Sequence, residues 1–163
     1  KTLKKKYTPC INNYTHKYLN RKDVKQAIHV KNLKNSWKVC SDRVVYKYSD
    51  TYISQIPLIN KILNDKYISD LDILIMSGTN DSICGTIKTQ EWIKELDIKS
   101  KKKWKQYFIH KEPAGYLSTY KSVNKKMVIF ATVNHAGHEI PLYKPEVAYN
   151  LMKMFVEKKF TSI

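Results

Sequence analysis

Length, composition and charge set the first limits on this chain. Its 163 residues, 42% of them hydrophobic, suffice for one domain with a real core. The chain carries 30 Lys and Arg against 14 Asp and Glu, a formal net charge of +16, which suits anionic partners. However, the lysines are scattered and no RNP motif, zinc finger or basic heptad accompanies them, so we favour a solvated surface and expect no nucleic-acid partner. No apolar run approaches the ~20 residues that cross a bilayer, so no membrane span is expected.

The first half of the chain predicts two helices. Residues 1–8 are expected to be a flexible basic lead-in, and residues 9–163 show no internal domain boundary. Residues 19–30 have a capping Asn20 and one apolar face, which predicts a helix. Residues 56–63, with Pro57 in the first turn, predict a second helix.

The second half predicts strands that alternate with helices. The apolar run 73–76 predicts a strand, residues 86–96 a helix, and the charged residues 97–103 a solvent-exposed turn. Two alternating segments, 105–110 and 115–121, predict further strands, the second of which is expected to pair with 127–133. A closing helix is predicted from Pro145. The pattern indicates an α/β fold with a mixed sheet and flanking helices.

Two stretches of the chain share one construction, in which a buried strand is followed by a polar loop. After the strand at 73–76 a Ser-Gly turn leads to Asp81, and after the β-branched run 127–133 a loop presents His138. Open α/β sheets carry their chemistry at the carboxyl ends of such strands. The order, aspartate before histidine, is the second half of the Ser…Asp…His sequence of α/β-hydrolases.

The amino-acid sequence of these stretches resembles the C-terminal third of the serine carboxypeptidases. The matching motifs run in the family's order from about Pro9 to Val156: PC, YLNRKDVKQAIHV, SGTNDS, AGYLSTY, FATV and AGHEIPLYKPEVA. The resemblance implies the C-terminal part of an α/β-hydrolase fold, incomplete on its own. It also implies an enzyme that removes C-terminal residues from peptide substrates without a cofactor.

The resemblance carries catalytic roles onto two residues. Asp81 matches the acid of the triad and His138 matches its base. The alternatives are that Asp81 only caps the following helix and that His138 only satisfies loop carbonyls. By the same resemblance Cys84 lies near the substrate pocket and Glu139 lines the leaving-group side. A buried small hydrophobe and a solvated loop residue are the respective alternatives.

No Gly-x-Ser-x-Gly motif occurs in these residues. The resemblance therefore implies that the nucleophilic serine lies on an N-terminal portion, or heavy chain, and that this chain alone is inactive. A homodimer also stays open. Two further functions compete with peptide hydrolysis: a carboxypeptidase-like acyltransferase and a non-catalytic basic binding module.

The three cysteines cannot all pair with one another. In the family that the chain resembles, the positions of Cys10 and Cys40 form disulfides to the N-terminal portion. Reduced thiols or a Cys10–Cys40 bond are the alternatives. Asn13 begins a glycosylation sequon. Together with the resemblance these features imply the secretory pathway, with a lysosomal, vacuolar or extracellular destination.

Two positions depart from the family's pattern. Thr79 replaces the first aspartate of Ser-Gly-Asp-x-Asp, and His135 replaces a glycine before Ala-Gly-His. The first change removes a carboxylate. The second puts an extra imidazole near the site and changes the expected geometry of the loop. His135, His138 and Glu139 lack the helical i, i+4 spacing of a zinc motif, and Gly137 disfavours a helix, so we expect no metal.

Overall fold

The computed structural model describes residues 11–40, 45, 47–68 and 70–161. Within these ranges, residues 11–53 form one compact unit and residues 54–161 form another. The predicted lead-in, residues 1–8, and Cys10 lie outside the described residues. No helix in the described ranges is both long enough and apolar enough to cross a bilayer.

The first unit contains two short helices, α1 (Ile11–Leu19) and α2 (Lys22–Ala27), and a 3₁₀ turn over Tyr48–Tyr52. The predicted helix over 19–30 is therefore wrong at both ends. Asn20 separates the two helices: its side-chain NH₂ donates to the Trp37 carbonyl at 2.9 Å, and its carbonyl oxygen accepts the Trp37 N–H at 2.7 Å. A side chain that bonds this way to a distant backbone segment favours a break over a continuous helix.

The second unit is built on a four-stranded mixed sheet. Its strands are β1 (Ile73–Gly78), β2 (Ile98–Ile109), β3 (Glu112–Ser122) and β4 (Met127–Val133). Their spatial order is β1-β4-β3-β2, in which β1 runs parallel to β4 while the other neighbours are antiparallel. The predictions for β1, β3 and β4 are confirmed, and so is the β3–β4 pairing.

Helices cover both faces of this sheet. They are α3 (Ile56–Asn64), α4 (Thr86–Lys94), α5 (Ile140–Tyr143) and α6 (Pro145–Val156). One core cluster joins residues of β3 and β4 to Ile140, Ala148 and Leu151 of α5 and α6. The other cluster joins Val128 to Leu63 of α3 and to Leu96. The three longer helices were predicted, whereas α5 was not. The result confirms an α/β arrangement of a mixed sheet with flanking helices.

Strand β2 is longer than predicted, because residues 98–103 are part of it rather than a charged turn. Ser100 pairs with Tyr120 and Lys102 with Thr119, with bulges on either side of Lys102. Lysines are depleted from the centres of sheets but are common on edge strands, where they discourage pairing with other chains. The charge pattern of β2 thus reflects its edge position.

A buried lysine joins the β3–β4 turn to the end of α3. Lys126 is 1% exposed, and its side-chain amine donates to the carbonyls of Ile62 at 2.5 Å and Asp65 at 2.6 Å. Carbonyls at the C-terminus of a helix lack intrahelical partners. Lys126 therefore caps the C-terminus of α3 from the β3–β4 turn.

We predict that Lys126→Met lowers the free energy of unfolding by about 2 kcal/mol, because two carbonyls lose their donor. The neighbouring exposed residue offers a matched control, since Lys125→Met removes a lysine that points to solvent. Urea denaturation of both variants tests this. Equal midpoints for the two variants would show that the capping bonds add nothing to stability.

Candidate active site

Asp81 is held in a tight turn directly after β1. Its Oδ1 accepts the backbone N–H groups of Ile83 at 2.8 Å and Cys84 at 2.9 Å, and its own N–H donates to the Gly78 carbonyl at 3.1 Å. This is the Asx-type turn that Asp favours, in which the side chain replaces a backbone acceptor. Because Oδ1 is held by the turn, the orientation of the whole carboxylate, including the second oxygen Oδ2, is fixed.

The loop after β4 presents His138. β1 and β4 are parallel, and their last paired residues are Gly78 and Val133. Both loops therefore leave the sheet at the same end, the carboxyl end of these two strands. Asn134 anchors the loop to the start of β3 through its N–H, which donates to the Ala114 carbonyl at 2.8 Å. The two polar loops predicted from the sequence are therefore neighbours.

The structure brings Asp81 and His138 into direct contact. Oδ2 of Asp81 lies 3.0 Å from Nδ1 of His138. The Asp81 side chain is 5% exposed, whereas that of His138 is 55% exposed. An ionised carboxylate only accepts hydrogen bonds, so Nδ1 carries the proton and Nε2 is the nitrogen with a free lone pair. The pair thus combines a sheltered anion with an accessible proton acceptor.

The pKa of Asp81 lies below its usual range. The N–H of Cys84 makes the largest contribution, and the His138 ring and the N–H of Ile83 lower it further, against the opposing effect of desolvation. Hydrogen bonds that are made to the charged form favour that form. Asp81 is therefore ionised at neutral pH and fixes the tautomer of His138.

Close backbone contact holds the two loops together. A Cβ added to Gly78 would collide with the carbonyl oxygens of Ala136 and Gly137. At Gly137 a Cβ would lie 3.0 Å from the ring of Tyr143. Neither glycine has a positive φ, so space rather than backbone conformation requires glycine at position 78, whereas a Cβ at position 137 would need only a small shift of the Tyr143 ring.

The departures from the expected motif also lie at this contact. His135 has a φ of 57°, in the left-handed region where glycine is most at ease, which accounts for the glycine of the family's pattern. The hydroxyl oxygen of Thr79 accepts the N–H of His135 at 2.9 Å. Sequence reasoning named both residues as departures but gave no sign that they bond to each other.

The remaining candidate residues are accessible. Cys84 and Glu139 are both exposed, and Glu139 directly precedes α5. Cys84 is a free thiol, and one ligand-type atom from each of Asp81, Cys84 and His138 lies within 4.8 Å of the others, a spacing that would suit a metal ion. Both Asp81 oxygens are already engaged by hydrogen bonds, which accounts for the cluster without an ion.

The residues expected to carry modifications lie in the first unit. Cys40 is exposed and has a free thiol. Asn13 is exposed on α1. The predicted disulfide of Cys10 lies outside the described residues, and the pairing of Cys40 stays a prediction.

A mixed α/β sheet with an Asp–His pair on adjacent loops defines a partial domain of the α/β-hydrolase type. Comparison with known proteins identifies the family: the serine carboxypeptidase family model (Peptidase S10) matches residues 1–158. The chain belongs to the serine carboxypeptidase family.

Its relatives include three proteins of Arabidopsis thaliana. Serine carboxypeptidase 24 is 32% identical over 155 residues, which are 94% of this chain and 31% of that protein. Serine carboxypeptidase-like 27 is 30% identical over 96% of this chain and 33% of its own length. Serine carboxypeptidase-like 35 is 34% identical over 92% of this chain and 30% of its own length. The chain thus spans about a third of the length of the relatives that it matches.

The lowered pKa of Asp81 predicts a pH-dependent contribution to stability. Because the folded pKa is below the unfolded value of about 3.9, the contribution is fully present above that value and is lost as the pH falls through the folded pKa. The difference in unfolding free energy between the wild type and Asp81→Asn should therefore be largest above about pH 4 and shrink on acidification. Denaturant titrations from pH 7 to pH 2.5 measure it, and a constant difference would contradict the assignment.

The contact at Gly78 predicts a strong steric effect. Gly78→Ala should separate the Asp81 and His138 loops, because the methyl group collides with backbone oxygens that have no rotamer to escape into. Gly85→Ala is the matched control, since the nearest atom to its added Cβ is the Asp81 carbonyl oxygen at 3.9 Å. Thermal unfolding should show a lower Tm for Gly78→Ala alone. Similar Tm values in both variants would refute the close packing.

Proposed function

We propose that this chain supplies Asp81 and His138 to the serine of a serine-type carboxypeptidase that removes C-terminal residues from peptides. The observation that carries the proposal is the 3.0 Å contact between Asp81 Oδ2 and His138 Nδ1 in a chain that belongs to this family. The contact leaves Nε2 of an exposed imidazole available for a proton.

The reaction follows from this arrangement. Nε2 of His138 takes the proton of the serine hydroxyl as the oxygen attacks the scissile carbonyl, and the imidazolium then gives that proton to the departing amine. Water, activated by the same nitrogen, hydrolyses the acyl-enzyme. Asp81 keeps Nδ1 protonated and stabilises the imidazolium without taking up the proton. No metal or cofactor takes part in these steps.

The nucleophile and the oxyanion donors come from another portion of the protein, because no Gly-x-Ser-x-Gly motif occurs in the 163 residues. Without them an acid and a base perform no acyl transfer, so this chain alone is inactive. The partner is the N-terminal portion or heavy chain of the same enzyme.

The free edge of β1 supports such a partner. In the described part of the chain β1 pairs on one side alone, with β4, and its apolar residues 73–76 are only half-buried. Parallel strands are usually buried within a sheet, which is why they are apolar on both faces. A strand from the missing portion that pairs with β1 would bury these residues beside the site.

Two exposed residues line the substrate in this proposal. Glu139 follows His138 directly, so its carboxyl group, when protonated, donates a hydrogen bond to the terminal carboxylate of the peptide. Cys84 lies beside the pocket for the preceding residue. This role of Glu139 gives an acidic pH optimum, which a pH–rate profile that rises toward alkaline pH would contradict.

The remaining features fit a secreted or vacuolar enzyme. The exposed thiol of Cys40 is accessible to a cysteine of the partner portion, and Cys10 is assigned a second such bond. Asn13, exposed on α1, is accessible for glycosylation. We assign the protein to the secretory pathway, with a lysosomal, vacuolar or extracellular destination.

Labelling of the native protein tests the assembly. A tagged fluorophosphonate should label a polypeptide that contains this sequence or one that releases it on reduction. The second pattern would also establish that Cys10 or Cys40 bridges two chains. If this chain migrates alone with nothing labelled, it is no part of a serine hydrolase.

For the assembled enzyme we predict that His138→Ala lowers kcat by about 10⁴-fold or more with little change in KM, because the base acts in the transition state. His110→Asn is the control, since it removes an exposed imidazole from the β2–β3 turn, where its Nε2 contacts Glu146 rather than Asp81. Hydrolysis of a blocked dipeptide measures both variants. An acceptor amine or alcohol in the same assay separates hydrolysis from acyl transfer, and unchanged kcat in His138→Ala would overturn the proposal.

A further inference from the structure

Besides the contact between Asp81 and His138, three hydrogen bonds join the loop of Asp81 to the loop of His138. The N–H of Thr79 donates to the Val133 carbonyl at 3.0 Å, and the N–H of Asn80 donates to the Ala136 carbonyl at 2.9 Å. The third bond runs the other way, from the N–H of His135 to the hydroxyl oxygen of Thr79 at 2.9 Å. Of these three, the first two are backbone bonds, so only the third depends on a side chain.

The third bond contacts the loop of His138 at His135, a residue with an uncommon backbone conformation. His135 has a φ of 57°, which residues other than glycine rarely adopt. Such a conformation persists only where the surroundings hold it. The Thr79 hydroxyl is one of the groups that hold it, and three residues later the chain delivers the ring of His138 to Asp81.

We infer that Thr79 is a positioning residue, whose hydroxyl oxygen sets His138 against Asp81 by fixing the backbone of His135. The inference rests on the proposed function, in which His138 is the base. Thr79 is exposed and contacts the base only through the chain, so it is not itself catalytic. The bond requires an acceptor at position 79, which Ser or Asp supplies and Val does not.

The requirement explains why a threonine is tolerated where the family's pattern has an aspartate. A hydroxyl oxygen and a carboxylate oxygen both accept a backbone N–H. What the site needs at this position is therefore an acceptor rather than a charge. The same hydroxyl donates to Oδ1 of Asn80 at 3.3 Å, which orients its lone pairs toward His135.

Variants of the assembled enzyme test the inference. Thr79→Val should lower kcat by about 10- to 100-fold with KM within about threefold of the wild type, since a small displacement of a catalytic group costs rate rather than affinity. Thr79→Ser and Thr79→Asp should both keep kcat within about threefold, because each keeps the acceptor. Thr51→Val is the control: it removes another hydroxyl whose bond, to the Tyr48 carbonyl, is local.

A spectroscopic measurement separates positioning from general destabilisation. In protein labelled with ¹⁵N-histidine, the Nδ1 proton of His138 should give a low-field signal that Thr79→Val weakens or shifts. Thr79→Ser should restore the signal. A Thr79→Val variant with an unchanged signal and unchanged kcat overturns the inference. Loss of activity in Thr79→Asp, with the fold retained, overturns it as well, because that variant keeps the acceptor.

The two proposals fail in different ways. If the wild-type assembly neither reacts with fluorophosphonate nor cleaves blocked peptides, the proposed function fails, while the Nδ1 signal still reports whether Thr79 sets the Asp81–His138 contact. If the wild type is active and Thr79→Val is equally active, only the role of Thr79 fails.

Discussion

The parallel pairing of β1 with β4 is the constraint on which the site depends. Their last paired residues, Gly78 and Val133, are 55 positions apart along the chain, with α4, β2 and β3 between them, yet the two strands end at the same level of the sheet. Neighbouring parallel strands have their carboxyl ends at the same end of the sheet, so the loops that follow these strands lie next to each other there. Gly78 then permits an approach that no side chain would allow.

The electrostatics of the site follow from this geometry. The Asp81 side chain, 5% exposed, stays ionised because backbone N–H groups replace the water that it loses. The donors at Ile83 and Cys84 come from its own turn, so they are in place whether or not His138 is protonated. His138 remains open to solvent, so its second ring nitrogen is accessible. The loop after β1 therefore supplies the fixed negative charge of Asp81, and the loop after β4 supplies the imidazole of His138, which that charge orients.

Much of this arrangement could be predicted from the sequence, and the exceptions have physical causes. Strand β4 was predictable because an unbroken apolar run can only be buried, and α3 because Pro57 suits a first helical turn. The contact between Asp81 and His138 followed from two strand–loop patterns and the resemblance to the family. The long β2 was missed, since its lysines resemble those of a solvent-exposed turn until the pairing with β3 is known. The break at Asn20 and the bond from His135 to Thr79 were also missed, because each joins residues that are remote in sequence.

The two edges of the sheet differ in a way that bears on how the domain is completed. On β2 the exposed residues include Lys99, Lys101, Lys103 and Lys105, and a strand that approached this edge would have to desolvate them. On β1 residues 73–76 are apolar and half-buried, and β1 itself contains no charged residue. The sheet is therefore suited to growth at β1 and protected at β2. Because β1 also carries the loop of Asp81, a strand added there arrives next to the Asp–His pair, which is where a nucleophile would have to be placed.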